Sequence, residues 1–225
     1  MGQEKLSDRS KQPSSRDRLL DSGELLFSQR GLGGVGLAEI AAGAGLSKAA
    51  MFHHFPTKSH LYCEVMARVL VKLELDLLRA LAAGGQATAR LDRWIDQLLD
   101  TLAEHPPYAA LLLRVLVDDA ELVPDIPAGT DATEAVGRIV AAAVQVLRDG
   151  MDTGEFISNS PSMVLQSLIG AVLHPLATNR FGEEWMGDDL FSEAQISRRK
   201  TALKKLMHHG LITAAPAVAQ KETDR

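Results

Sequence analysis

Apolar residues recur at helical spacing along nearly the whole chain, and no stretch alternates with the period of a half-buried strand. A chain patterned this way packs helix on helix. The pattern is sharpest near the start. Arg16 to Gln29 puts Leu19, Leu20, Leu26 and Phe27 on one face, with Ser14 or Ser15 as N-cap and Gly31 beyond the end. The glycine-rich connector Gly31 to Gly36 leads to Leu37, Ile40, Ala41 and Ala44 at i, i+3, i+4 and i+7, a short second helix. Ala44-Gly45-Leu46-Ser47 then breaks it, with a glycine for a positive φ and a serine to cap a third helix over Lys48 to Phe55. Pro56 stops that helix, and Thr57 can cap a fourth running through Lys58 and Leu61 to about Leu81.

Two short helices around a tight glycine turn, braced by a longer helix before them, make a helix-turn-helix. Met51 and Phe55 are expected to face inward onto Leu26, Phe27 and Ile40, leaving Lys48, Ala49, Phe52 and His53 on the outward side. Ala49 and Ala50 are small enough for the backbone to approach base edges, and Lys48 can donate to a guanine or a phosphate. His53 and His54 are adjacent, so they point about 100° apart and cannot chelate one metal together.

The run Leu26-Phe27, Gly31, Leu37, Ile40-Ala41, Ala44-Gly45-Leu46-Ser47, Met51-Phe52, His54-Phe55 and Lys58 resembles the DNA-binding domain of TetR-type transcriptional regulators, over roughly residues 13 to 73. The resemblance implies that Lys48, Ala49, Ala50 and Phe52, behind the cap Ser47, face the major groove. It puts Gly36, Leu37, His53, His54 and Lys58 at or beside phosphates. Two positions depart from the family, which usually has threonine or serine at Gly36 and tyrosine at Phe52. Each departure deletes a hydroxyl that could donate to phosphate, a contact worth ~1 to 2 kcal/mol when charge-assisted. Phe52 can instead press on a thymine methyl.

The remaining two-thirds reads as a helical bundle. Leu91, Trp94, Ile95, Leu98, Leu99 and Leu102 mark a helix ended by His105-Pro106-Pro107, and Tyr108, Leu111, Leu112, Val115 and Leu116 mark the next. An irregular link spans Asp118 to Thr130, and an Ala- and Val-rich helix follows over Thr133 to Met151. The eighth helix, Ser162 to about Asn179, carries a stripe of Leu165, Leu168, Ile169, Val172 and Leu176. The ninth, about Asp188 to His209, carries Ile196, Leu203, Leu206 and Met207. These stripes either complete the chain's own core or supply half of a four-helix contact between two copies; the resemblance implies the second. The basic run Arg198-Arg199-Lys200 with Lys204-Lys205 follows Asp188, Asp189 and Glu193 on the same helix, an order that suits the helix dipole and a solvated face.

The resemblance also implies a small-molecule effector held in the body. Candidate lining residues are Trp94, Leu98, Tyr108, Leu112, Phe156, Met163 and His174, each with plain core packing as the alternative, and Arg114 and His174 are the polar groups expected to orient a ligand. By linkage, an effector that prefers a mis-spaced pair of reading helices releases the DNA.

Composition narrows the rest. Residues 1 to 60 carry eight Lys/Arg against six Asp/Glu, while the remainder is about −7 within a total of −5, so a locally basic end can still meet phosphate. With aromatics at 4%, a duplex is a better match than a single strand. Apolar runs are short and broken by charge, as where Ala109 to Leu113 meets Arg114, and Met1 to Arg18 has no apolar core of a leader, so a cytoplasmic protein with no membrane partner is expected. Cys63 is alone, which excludes an internal disulfide and a thiolate metal cage, and it reads as a small buried residue. No phosphate loop, G-x-S-x-G elbow or H-E-x-x-H is present, so an enzyme built on Cys63 or on a histidine with Asp118-Asp119 is not expected.

The chain is thus expected to be all-α with about nine helices. Residues 1–13 form an arm, 14–73 a three-helix DNA-binding domain with its helix-turn-helix at about 36–55, 74–213 a larger ligand-binding and dimerisation domain, and 214–225 a tail. The expected function is that of a homodimeric regulator, in the first instance a repressor, that a small molecule releases from a palindromic double-stranded operator. No cofactor or metal is expected. The alternatives are an activator or ligand-independent regulator of the same fold, and a helical adaptor that binds protein.

Overall fold

The computed structural model describes residues 13–117, 131–178 and 189–212. The expected N-terminal arm up to residue 12, the link containing Asp118-Asp119, the start of the ninth helix at Asp188 and the C-terminal tail lie outside them. Among the described residues there are nine helices. They are α1 (Ser15–Arg30), α2 (Leu37–Gly43), α3 (Lys48–His54), α4 (Lys58–Ala82), α5 (Ala87–Glu104), α6 (Pro107–Val117), α7 (Asp131–Asp152), α8 (Pro161–Ala177) and α9 (Glu193–Leu211). An isolated bridge between Phe156 and Ile212 is the one β-type pairing among them. None of these helices is long and apolar enough to cross a membrane.

Local chemistry fixes the ends of the first four helices. Ser14 and Asp17 form a reciprocal capping box at the start of α1, and the Ser47 and Thr57 hydroxyls accept from the amides of Ala50 and His60 to start α3 and α4. The turn between α2 and α3 needs a positive φ at one position, and Gly45 supplies it at 66°. α1 to α3 form a head, and α5 to α9 a body. α4 belongs to both, packing on α1 at one end and on α5 and α7 along its length. An expected domain boundary at residue 73 therefore falls inside an unbroken helix.

Three of the body's assignments differ from the sequence expectation. On α8, Leu165, Leu168, Val172 and Leu176 are buried and Ile169 is packed against the same core, with α6 and α7 as the neighbouring helices. On α9, Ile196 is buried and Leu203 and Met207 are partly buried against the core; Leu206 alone of the expected interface stripe stands out, 69% exposed. The buried members of these stripes pack within their own chain, while Ile169, Leu203 and Met207 keep part of their surface exposed. The third difference concerns the basic run on α9. Lys200 and Lys204 are not free in solvent: they pair with Asp100 and Asp96 of α5 at 2.5 and 2.8 Å, and His208 continues the row onto Asp92 at 2.9 Å. Both sets recur every fourth residue, so the two antiparallel helices face each other with Asp100, Asp96 and Asp92 in step with Lys200, Lys204 and His208.

Glu155, beyond the end of α7, caps α5 from a distance in sequence. Its carboxylate accepts from the amides of Ala87 and Thr88 and from the Thr88 hydroxyl, all within 3.1 Å, at a helix whose own N-cap residue, Gln86, makes no side-chain bond. Burial pushes this carboxyl up, but the three donors outweigh burial and hold it below its ordinary value.

Candidate nucleic-acid interface

The head's core sorts the residues of α3 by face. Met51 and Phe55 are fully buried with Phe27, Ile40 and Leu61, and Leu26 packs partly against them. The helix is short and poorly stable alone, so this anchoring is what holds it in place. The remaining positions follow from the 100° step: Lys48, Ala49, Phe52 and His53 are exposed, and Ala50 and His54 are half-buried. Phe52 is 43% exposed, an uncommon state for a large aromatic ring on a helix. The Lys48 ammonium lies over that ring, 5.7 Å from its centroid. The rings of His53 and His54 meet edge to face at 5.6 Å.

Gly36, Ser47 and His60 are exposed beside this face, and Leu37 is half-buried at the start of α2. Gly36 is the N-cap of α2; its carbonyl accepts from the amides of Glu39 and Ile40, but it has no side chain to cap the amides of Leu37 and Ala38 before them. Such amides can receive a phosphate. Lys58 is partly committed elsewhere. Its ammonium donates to the Val35 carbonyl at 3.1 Å and so ties the start of α4 to the glycine-rich connector. Its expected role beside phosphate is joined by a bracing one, which the sequence did not reveal because its partner lies 23 residues away.

Two arginines are among the residues that join the head to the rest of the molecule. Arg68 of α4 donates to Asp21 and Glu24 of α1, each at 2.6 Å. Burial lowers this guanidinium, but the two carboxylates overcome burial and raise it above its ordinary value. Arg114, expected to orient a ligand, instead reaches from α6 to the end of α1, where its Nη2 donates to the Gln29 carbonyl at 3.3 Å. A positive charge among the last carbonyls of a helix is favourable there.

The other residues expected to line an effector site fall into two groups. Trp94, Leu98, Tyr108 and Phe156 are buried in the body core and Leu112 packs partly against it. Trp94 Nε1 is buried with no partner among the described residues, and burial followed by the charge of Glu24 raises the Tyr108 phenol. Met163, 66% exposed, and His174, also exposed, point away from this interior on α8.

Residues 19–65 match the family model described as bacterial regulatory proteins, tetR family. The HTH-type transcriptional repressor NemR of Escherichia coli (strain K12) is 26% identical over 208 residues, covering 91% of this chain and 96% of that protein. Among solved structures, the ketosteroid transcriptional regulator KstR2 of Mycobacterium tuberculosis aligns over 91% of this chain and 98% of its own, with a TM-score of 0.72 at 18% identity. The structure of AibR in complex with isovaleryl coenzyme A and operator DNA aligns over 86% and 97%, with a TM-score of 0.67 at 16% identity.

Proposed function

The chain belongs to the TetR family of transcriptional regulators, and from that premise we propose that it is a homodimeric repressor which a small molecule releases from a palindromic duplex operator. The observation that carries the reading is the division of α3: Met51 and Phe55 lock it into the head, while Lys48, Ala49, Phe52 and His53 stand exposed on the other side. A helix held this way can enter a major groove without unfolding anything.

Two copies are needed because one seven-residue helix reads only a few base pairs. Docking both requires the two α3 helices to stand roughly 34 to 36 Å apart, and any ligand that prefers another spacing weakens binding by linkage. The surface proposed for the second copy is the outward side of α8 and α9, where Met163, Gly170, Ala171, Ala202 and Leu206 are exposed. The effector is proposed to be held in the body between helices α4 to α8, near Trp94 and Tyr108. The similar AibR structure contains both isovaleryl coenzyme A and operator DNA, which supports both halves of this reading for a chain of the same fold. The proposal places the protein in the cytoplasm and gives it no catalytic step.

Retention on DNA from the chain's own promoter region, measured across salt, tests the proposal. Affinity should fall steeply between about 50 and 200 mM salt. Lys48→Ala should alter preference among duplexes, whereas Lys58→Ala should weaken all of them alike. If retention is indifferent to salt and to both substitutions, α3 is not a DNA reader.

A further inference from the structure

We infer that Lys48 and Phe52 read DNA as one unit, the ammonium taking the acceptor edge of a guanine and the ring the methyl of a thymine within about two base steps of it. The inference rests on the DNA-binding reading above and specifies what that site recognises. The two residues are one helical turn apart on the uncovered side of α3, and Lys48 Nζ lies 5.7 Å from the centroid of the Phe52 ring. Base pairs rise by roughly 3.4 Å, so groups held this close address features no more than two steps apart.

The chemistry of each member limits what it can read. Phe52 has no hydroxyl and cannot donate to a phosphate, yet it holds 43% of its surface in solvent. The one-carbon side chain of Ala49 beside it shields little. The apolar feature a major groove offers such a ring is the thymine methyl, whereas guanine offers N7 and O6 to a lysine. The cation–π contact also orders both side chains before binding, since an ammonium resting on a ring loses part of its rotamer freedom in the free protein. The two preferences are therefore coupled: removing the ring loosens the lysine as well.

The test uses the full chain and duplexes that it selects from a randomised pool. In the selected duplexes each thymine is replaced by deoxyuridine, which deletes only the methyl, and each guanine by 7-deazaguanine, which deletes only the N7 acceptor. One thymine per half-site should lose roughly three- to tenfold in affinity on methyl removal, and Phe52→Ala should be blind to that change. A guanine within two steps should be sensitive in the wild type, insensitive in Lys48→Ala and less sensitive in Phe52→Ala. Methyl removal that is neutral at every thymine, or a sensitive thymine that stays sensitive in Phe52→Ala, overturns the inference and leaves DNA binding intact. So does a sensitive guanine more than two steps away. A pool from which nothing is enriched overturns the DNA-binding reading itself, and this inference with it.

Discussion

Arg114 of α6 donates to the carbonyl of Gln29, the penultimate residue of α1, across 85 positions of sequence. Its Nη1 also occupies the space beside Gly31, where a Cβ would stand 3.0 Å from it, and Gly31 holds a φ of 68°. The body thus touches the head at a point where the backbone accepts no ordinary side chain without strain.

Replacing Arg114 by alanine should remove the last-turn partner of α1 and lower stability by about 1 kcal/mol. Gly31→Ala should cost at least as much, because the left-handed backbone and the guanidinium both oppose the new methyl. Thermal unfolding checks this: a chain of this size should lose roughly 2 to 4 °C per kcal/mol. An unchanged midpoint in both variants would mean that the contact contributes nothing.

The row joining α5 to α9 should behave as partly solvated ion pairs. Asp96 and Lys204 have side chains 34% and 28% exposed, so a double-mutant cycle to alanine should give a coupling of about 0.5 to 1 kcal/mol that shrinks at high salt. Lys204→Glu should cost more than Lys204→Ala, by setting like charges together. Adding Asp96→Lys to it should recover part of the loss. Equal midpoints for the alanine and glutamate variants would show that the pair carries no net attraction.

Stability should fall in acid through Glu155. Because its carboxyl is held below its ordinary value of 4.5 in the folded chain, its contribution is complete above that value and is lost as the pH falls through the lower, folded one. Glu155→Gln should cost about 1 kcal/mol at neutral pH through the weakened cap on α5. The gap between variant and wild type should narrow as the pH is lowered to about 3. Unfolding midpoints measured from pH 7 to pH 3 decide it, and a gap that widens toward acid contradicts the cap's sign.

Outward and inward leucines of the last two helices should separate association from folding. Leu206→Glu, on the outer side of α9, should leave the midpoint of a dilute sample within about 0.5 kcal/mol of the wild type in local stability but shift sedimentation toward the single chain. Leu165→Ala, in the core of α8, should cost ~2 to 5 kcal/mol by leaving a cavity. Its effect should be on folding, with the folded fraction keeping the wild-type mass. Two copies that stay together in Leu206→Glu would place their contact on another surface.

The head was legible because its determinants are local. Ser14, Ser47 and Thr57 cap helices within three residues of themselves, and Gly45 answers a φ requirement at its own position. The inner and outer sides of α3 follow from a 100° step once Met51 and Phe55 are taken as buried. The body was less legible because an apolar stripe such as Leu165 to Leu176 states that burial occurs, and not whose side chains provide it. Arg114 shows the same limit for charge: its partner is fixed by how α6 crosses α1. The pairing of α5 with α9 does have a signature in the sequence. Asp92, Asp96 and Asp100 share the four-residue spacing of Lys200, Lys204 and His208, which marks two helix faces made for each other. Glu155 left no such trace, since the cap it supplies to α5 comes from 67 residues further along.

The regular spacing of that charged row has a mechanical consequence. Sliding α9 by four residues along α5 would exchange partners while keeping two pairs of three, so the row resists peeling far more than it resists slippage. Register must come from features that do not repeat: Ile196 seated near one end of α9, Leu211 at the other, and the Leu211 carbonyl receiving the Ile157 amide at 2.8 Å. The charged row thus adds attraction without fixing position, and the apolar residues at the two ends of α9 hold the helix to one register.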